Sequence, residues 1–471
     1  MKKASLVMHA PRPQEVVLKL DRPWEGPICG YFTLIRDGDR NLLYYRGWPE
    51  AGRPDVYCVA ESSDGIQFDR PNLGLHEYEG NRDNNIILTE SPFTHTFAPF
   101  LDTRPDVEKP HRFKAFARNR INRDNAAEMG IASDSVEAWI NKWVLNAFSS
   151  PDGINWRLMF PEPAITDGVF DSQNVGFWSE AEEKYIAYYR TFSRKEEFES
   201  GRTAPTTNAT RLRTIMRAES EDFRHWSPGV LMDYRTGDSP TPVEEFYINQ
   251  THPYFRAPHI YVALPARFMK GRTAVSREEA QAVSVLENQI NACSDACFMT
   301  TRPGNHWYDR TFPEAFVRPR IGAGHWTGRT NYPVNGVIQT GPEEMSFYVQ
   351  EHYAQPVPQL RRYSLRLDGF SSVRMPHSGG EFITKPLTFS GAELELNYST
   401  SAAGSMRVEI RDENNKPIPG YTLREATDIF GNRIAGRAAW KNGSSLAELA
   451  GKPVRLRFVM HDADLFSLRF V

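Results

Sequence analysis

Residues 143–156 read WVLNAFSSPDGINW: an alternating apolar run, a Ser-Ser-Pro-Asp-Gly turn at 149–153, and an aromatic, Trp156, three residues beyond the glycine. Glycine takes positive φ cheaply, and the aromatic is expected to pack back on the strand just left. The pattern returns in VYCVAESSDGIQF (Asp64-Gly65, Phe68), IMRAESEDFRHW (Asp222, Trp226), CFMTTRPGNHW (Gly304, Trp307) and LRRYSLRLDGFSS (Asp368-Gly369, Phe370). Positions 64, 152, 222, 304 and 368 are spaced by 88, 70, 82 and 64 residues. A single Ser-Asp-Gly is an ordinary hairpin turn. Five copies, each closing an apolar strand and preceding a new strand cluster, describe one β-unit repeated at irregular intervals. Such units pack radially, so the sequence predicts an all-β fold with a five-bladed β-propeller over residues 1–375.

Beyond Met375 the texture changes. FITKPLTF, AELELNYST, SMRVEIRD and PVRLRFVMHDADLFSLRF read as short alternating strands, so residues 376–471 are expected to form a β-sandwich without a catalytic cluster. Two insertions interrupt the repeats. One, 119–142, holds a short helical pattern in SVEAWINKW. The other, SREEAQAVSVLENQI, has Ser276 three residues before Glu279, a capping box that starts a helix. The stretch 193–211 is too polar for anything but a loop, placed here over the site.

The chain has 471 residues and a formal net charge of −3, which argues against a polyelectrolyte that binds nucleic acid or a membrane surface. No apolar run reaches the length of a membrane span. The opening MKKASLVMHAPRPQ has too short an apolar stretch for a secretion signal, which leaves the compartment open. Cys29, Cys58, Cys293 and Cys297 lack metal-binding spacing and read as free buried thiols. The 28 Phe, 19 Tyr and 10 Trp suit β-packing and sugar stacking.

In a propeller blade, the start of the first strand and the end of the second reach the same face. Second-strand ends carry Arg46, Arg118, Arg190 and Arg267, with Glu351 and His352 in the fifth repeat. First-strand starts carry Glu25, Asp171, Glu245 (beside Glu244), His95, and the pair Arg329 and Tyr332. Four guanidiniums around one channel repel unless carboxylates or an anionic ligand offset them. Gln173 in FDSQN joins the polar mouth, and Tyr247 and Tyr332, with Trp24, Tyr31, Trp48, Phe97 and Phe177, offer stacking faces. His252 and His259, seven apart, read as structural histidines rather than metal ligands. No motif calls for a cofactor or metal, and a structural calcium stays open.

Carboxylates in an aromatic-walled funnel suit glycoside hydrolysis, where one group delivers a proton and another faces an oxocarbenium-like centre. Asp171 and Glu25 are the expected charged pair, with Glu351 or Glu245 as the acid. The expected partner is an oligo- or polysaccharide. Two other readings stand beside it: a propeller that grips glycans without catalysis, and a lyase in which arginines neutralise a uronate.

The repeated turns, the carboxylates at strand starts and the C-terminal strands resemble the five-bladed propeller glycoside hydrolases of families 32 and 43. In local detail DRPWEG, YYRG, SSDGIQF, DNNI and FDSQNVGFW are similar to a family-32-like bacterial group. The resemblance implies a propeller glycosidase with a central carboxylate site. Glu25 stands where family 32 opens with an Asp motif, and the R-D-P triplet and E-C pair of its fructosidases are absent, so fructose specificity is not implied.

Overall fold

The structure, a computed structural model, describes residues 3–49, 53–132, 136–193 and 212–471. Apart from Ser193, the expected loop over the site lies outside the described residues. The described chain is all-β, with few and short helices. It divides into two compact units: Pro13–Thr340 with Ser346–Tyr363, and Met1–Arg12 with Gly341–Met345 and Ser364–Val471.

In the larger unit, mainly antiparallel sheets succeed one another along the chain, with one parallel pair, Asp233–Thr236 beside Trp307–Asp309. The first joins Gly30–Asp37, Arg40–Gly47, Val56–Ser62 and Ile86–Leu88. The second joins Ala98–Leu101, Phe113–Arg120, Trp143–Ser150 and Arg157–Leu158, and the third Val175–Ser179, Lys184–Phe192, Arg213–Ser220 and Val230–Leu231. The fourth group is split. Phe246–Ile248, Ala266–Lys270 and Ala292–Ala296 form one sheet, while His252–Tyr254, Ala257–Ala263, Met299–Thr301 and Trp307–Asp309 belong to another. The split falls at Leu264-Pro265, where proline has no N–H to give the ladder. The last sheet is built from Tyr332–Pro333, Glu344–Glu351, Gln359–Arg366 and Arg12–Lys19.

Three of the repeated turns share one hydrogen-bond pattern. Ser62 Oγ accepts from Gly65 N at 2.8 Å, and Asp64 Oδ1 accepts from Ile66 N at 2.7 Å and Gln67 N at 2.9 Å. Ser150 and Asp152 do the same for Gly153, Ile154 and Asn155, and Ser220 and Asp222 for Phe223, Arg224 and His225. The copy at Gly304 keeps the positive φ of 73° without the Ser–Asp pair, and at the last copy Asp368 takes the positive φ, 59°. The aromatics do more than pack on the strand just left. Phe68 lies edge-on to Tyr348 of the last sheet (centroids 5.7 Å), Trp156 to Tyr44 of the first (6.4 Å), and Trp226 to Phe116 of the second (5.3 Å). The second and third turns are thus docked on the sheet before them, and the first turn on the last sheet.

The turn glycines explain one sensitivity. Gly153 has φ +79° and gives its carbonyl to the Tyr44 hydroxyl at 2.9 Å, and a Cβ there would collide with that same hydroxyl. Position 223 tolerates a phenylalanine at φ +66° because its ring stacks on Phe116 at 4.9 Å instead. Gly153→Ala is expected to cost about 2–4 kcal/mol in chemical denaturation, from left-handed strain plus overpacking. Ala at exposed Gly74, also at positive φ but with open space around it, should cost about 1 kcal/mol.

The inner strands of the sheets meet through buried amides. Gln173 Nε2 donates to Thr33 Oγ1 at 2.6 Å and Phe32 O at 2.9 Å, and Gln250 Nε2 donates to Gln173 Oε1 at 2.9 Å and Pro333 O at 2.8 Å. Gln173 is therefore a structural link between sheets. His252 belongs to the same region, with Nδ1 2.9 Å from Gln250 O, and burial pushes its imidazole down to about 4. The ordinary value is 6.5. Between these limits the unfolded chain binds a proton that the folded one refuses, so stability is lost as pH falls from about 6.5 toward 4. The limit is about 3 kcal/mol for this group. Urea midpoints at pH 7 and pH 4 should converge partly in His252→Gln, and an unchanged gap would show that other groups carry the dependence.

In the smaller unit, Val454–Phe470 lies between Leu394–Asp412 and Ser371–Met375 in one sheet. AELELNYST and SMRVEIRD, expected as separate strands, form a single 19-residue strand with a register shift between Thr400 and Ser405. Gly404 sits at that shift, and a Cβ there would strike the carbonyls of His461 and Asp462. Leu394, Leu396, Met406, Val408, Ile410, Leu456, Phe458 and Met460 form its core.

The helix at Arg277–Ala282 starts where the sequence places it, with Ser276 and Glu279 capping reciprocally. In the 119–142 insertion the capped helix is Arg123–Glu128, started by Asn122, upstream of the helical pattern read from the sequence. All four cysteines are free and buried.

Candidate active site

Asp171 lies just ahead of the first strand of the third sheet, and two guanidiniums and an imidazole converge on it. Arg118 Nη1 is 2.5 Å from Oδ1, His95 Nε2 is 3.4 Å from the same oxygen, and Arg190 Nη2 is 3.9 Å from Oδ2. Arg190 is further fixed by donating to the backbone oxygens of Val169 at 2.9 Å and Asp171 at 2.8 Å. The carboxylate stays 52% exposed while Arg118 and Arg190 are 11% and 5% exposed as side chains. Partial burial pushes the carboxyl up, but the His95 hydrogen bond and the Arg118 and Arg190 charges outweigh it and hold Asp171 well below the usual carboxylate range.

His95 is oriented from behind. Its Nδ1 is 2.8 Å from Asp55 Oδ2, and Thr94 Oγ1 donates to Asp55 Oδ1 at 2.8 Å. Burial raises the Asp55 carboxyl, but the His95 hydrogen bond and charge and the Arg46 charge leave it lowered. Arg46 ends the second strand of the first sheet, with Nη1 3.3 Å from His95 Nε2 and its guanidinium 4.7 Å over Tyr31 and 5.1 Å over Trp48.

The far wall is aromatic and cationic. Tyr247 and Tyr332 have centroids 5.5 Å apart. Arg213 and Arg329 lie 4.5 Å and 4.9 Å from the Tyr247 centroid, and Arg190 lies 5.8 Å from it. Glu245 is ion-paired with Arg213 and nearly enclosed. Burial raises the Tyr31 phenol, as does Tyr247, while Arg329 and Arg46 pull it back and Asp171 raises it again. Tyr31, Tyr247 and Tyr332 belong to one buried cluster, with Arg46 over the first and Arg329 over the second.

Arg46, His95, Arg118, Asp171, Arg190, Glu245, Tyr247 and Tyr332 are thus brought together. Of the other five residues placed in the site from sequence, Gln173 links the sheets as described above, and Glu25, Glu351, Arg267 and His352 have other partners. Glu25 is fully buried, accepting from the Tyr45 hydroxyl at 2.7 Å and from Arg70 at 2.7 and 2.9 Å. Glu351, 1% exposed, is held by Arg361 at 3.0 Å, Arg320 at 3.2 Å and Gln359 at 2.8 Å. Arg267 pairs with Asp295 at 2.6 Å and Glu244 at 2.7 Å, and the inward place beside Tyr247 goes to Phe268 (centroids 5.5 Å).

His352 forms, with His325 and Glu351, a set of ligand atoms within 4.8 Å of one another, a spacing that fits a metal ion. An ion there would compete with two guanidiniums for the Glu351 carboxylate.

Asp55, Trp143 and Arg213 were missed, although a signal existed. They lie at or just before third-strand starts, which return to the face where second strands end. In register, Trp143 faces Arg120 and Arg213 faces Phe192, each two residues beyond a site arginine. Trp143 also covers Arg118, whose guanidinium lies 4.2 Å from its ring centroid.

No protein-family model and no curated protein matches the chain. Among solved structures, one described as a glycoside hydrolase is similar over 78% of this chain and 95% of its own, at 11% identity and TM-score 0.47. A glycosyl hydrolase from Bacteroides ovatus is similar over 75% and 93%, at 12% identity and TM-score 0.44. An N-acetylgalactosamine deacetylase from F. plautii, in complex with blood group B trisaccharide, is similar over 78% and 96%, at 9% identity and TM-score 0.44.

Proposed function

We propose that the chain is a glycoside hydrolase whose site is the central funnel of a five-bladed β-propeller, with the C-terminal strands as an appended β-sandwich. The docking of three turns on the preceding sheets, with Phe68 of the first set on Tyr348 of the last, supports the radial arrangement. One observation carries the chemistry. Asp171 is a half-exposed carboxylate kept ionised by Arg118, Arg190 and His95. A group that cannot be protonated at working pH serves as nucleophile, as base, or as the charge facing an oxocarbenium-like centre, and not as the acid. His95, its ring set by Asp55, is the proton carrier within reach of the same space. Glu245 is paired with Arg213, which favours a charged positioning role over that of acid.

The test is release of reducing sugar from a panel of polysaccharides and aryl glycosides by the wild-type chain. Glycans that bind with no product across the panel would replace this reading with a non-catalytic grip. A second reading, elimination at a uronate, is favoured by the excess of guanidinium over carboxylate and by the tyrosines Tyr31, Tyr247 and Tyr332. Its product is unsaturated and absorbs in the ultraviolet, which a hydrolytic product does not.

A further inference from the structure

Most charges in the cluster are matched. Arg118 and Arg190 share Asp171, and Arg213 has Glu245, while Asp55 is hydrogen-bonded to His95. Arg46 and Arg329 are not matched: among the described residues neither has a carboxylate within ion-pair distance. Arg46 is 2% exposed and spends its donors on Ile28 O at 2.8 Å and on His95. Arg329 donates to the Tyr353 hydroxyl at 3.1 Å. In both, Nε is buried with no hydrogen-bond partner, and so is the Tyr332 hydroxyl. Tyrosine faces at 4.7 Å (Tyr31 under Arg46) and 4.9 Å (Tyr247 under Arg329) offset only part of what a guanidinium loses on leaving water. Two desolvated cations sharing one space cost less once an anion enters it.

We infer that the sugar bound in this cluster carries a fixed anionic substituent, a carboxylate or a sulfate ester, and that Arg46 and Arg329 hold that substituent. The inference rests on the glycan reading of the site and adds the substrate class to it. A guanidinium fork offers paired N–H donors to either anion, and each N–H···O⁻ bond is stronger than a neutral one. With Arg46 and Arg329 on the substituent, the sugar ring is left to the tyrosine faces and its reacting carbon to Asp171.

The experiment measures binding of glucuronate, galacturonate, glucose 6-sulfate, glucose and galactose by titration calorimetry or ligand-observed NMR. Wild type, Arg329→Gln and Arg329→Lys are compared, with thermal unfolding to confirm that each is folded. At least one anionic sugar should bind, its neutral parent about 100-fold more weakly or undetectably, and 0.5 M salt should weaken the anion alone. Arg329→Gln should lose about 10- to 100-fold for the anion and leave any weak neutral binding unchanged. Arg329→Lys should fall between them. Uronates binding without the sulfate, or the sulfate without uronates, assigns the substituent. Equal binding of neutral and anionic sugars, or no change in a folded Arg329→Gln, overturns the inference while the glycan reading stands. No binding by any sugar, together with no turnover across the glycan panel, removes both.

Discussion

Asp171→Asn should lower kcat per folded molecule by about 10²- to 10⁴-fold. The substitution keeps the size and one acceptor oxygen but deletes the charge that Arg118, Arg190 and His95 surround. Because the side chain is 52% exposed, little packing is lost with it, but Arg118 and Arg190 lose their counter-charge, so the unfolding temperature should fall as well. The pH profile adds a sharper check. A carboxyl held below its usual range stays ionised as pH falls through 4, so Asp171 does not set the acid limb of kcat/KM in the wild type. Arg118→Gln removes one of the charges holding it down, and the Asp171 carboxyl then rises toward 3.8, its ordinary value. That variant should lose activity at a higher pH on the acid side than wild type. An Asp171→Asn protein with wild-type kcat would take Asp171 out of the chemistry.

The arginines at 46, 118 and 190 were legible because the strand-end spacing places them, and at 46 the register shift toward the first strand falls beyond the Gly30–Arg46 pair and leaves the arginine facing the site. Arg267 obeys the same spacing but not the same geometry. The pairing of Phe246 with Arg267 and of Ile248 with Ala266 contains a register shift, next to the break at Pro265. One residue of slip turns a side chain to the opposite face, so Arg267 meets Glu244 and Asp295 while Phe268 points inward. Glu351 is at the correct strand end, but the neighbouring strand supplies Arg361, which takes both its oxygens at 3.0 Å. A carboxylate's role was thus decided by which cation sits across the ladder, and one strand's pattern does not contain that information. The three complete Ser–Asp turns were readable for the opposite reason: every partner lies within five residues of the turn.

The clearest separation of structure from chemistry is expected at Glu25, which the sequence places in the funnel. Its carboxylate is fully buried and saturated: Oε1 accepts from Tyr45 and Arg70 Nε, and Oε2 accepts from Arg22 N at 2.9 Å and from Arg70 Nη2. Glu25→Gln replaces one acceptor with an NH₂ that faces other donors and takes away the nearer of Arg70's two carboxylates, leaving it Asp21 at 3.6 Å. Breaking one side of a buried pair costs about 3–5 kcal/mol, far more than the pair contributes relative to a neutral replacement. Glu25→Gln should therefore lower the denaturation midpoint strongly, while activity per folded molecule stays within about twofold of wild type. Arg70→Gln should be similarly destabilised, and the double variant should cost less than the sum of the two, because no uncompensated charge remains. A Glu25→Gln protein as stable as wild type but without turnover would restore Glu25 to the catalytic pair and leave the buried contact with Arg70 unexplained.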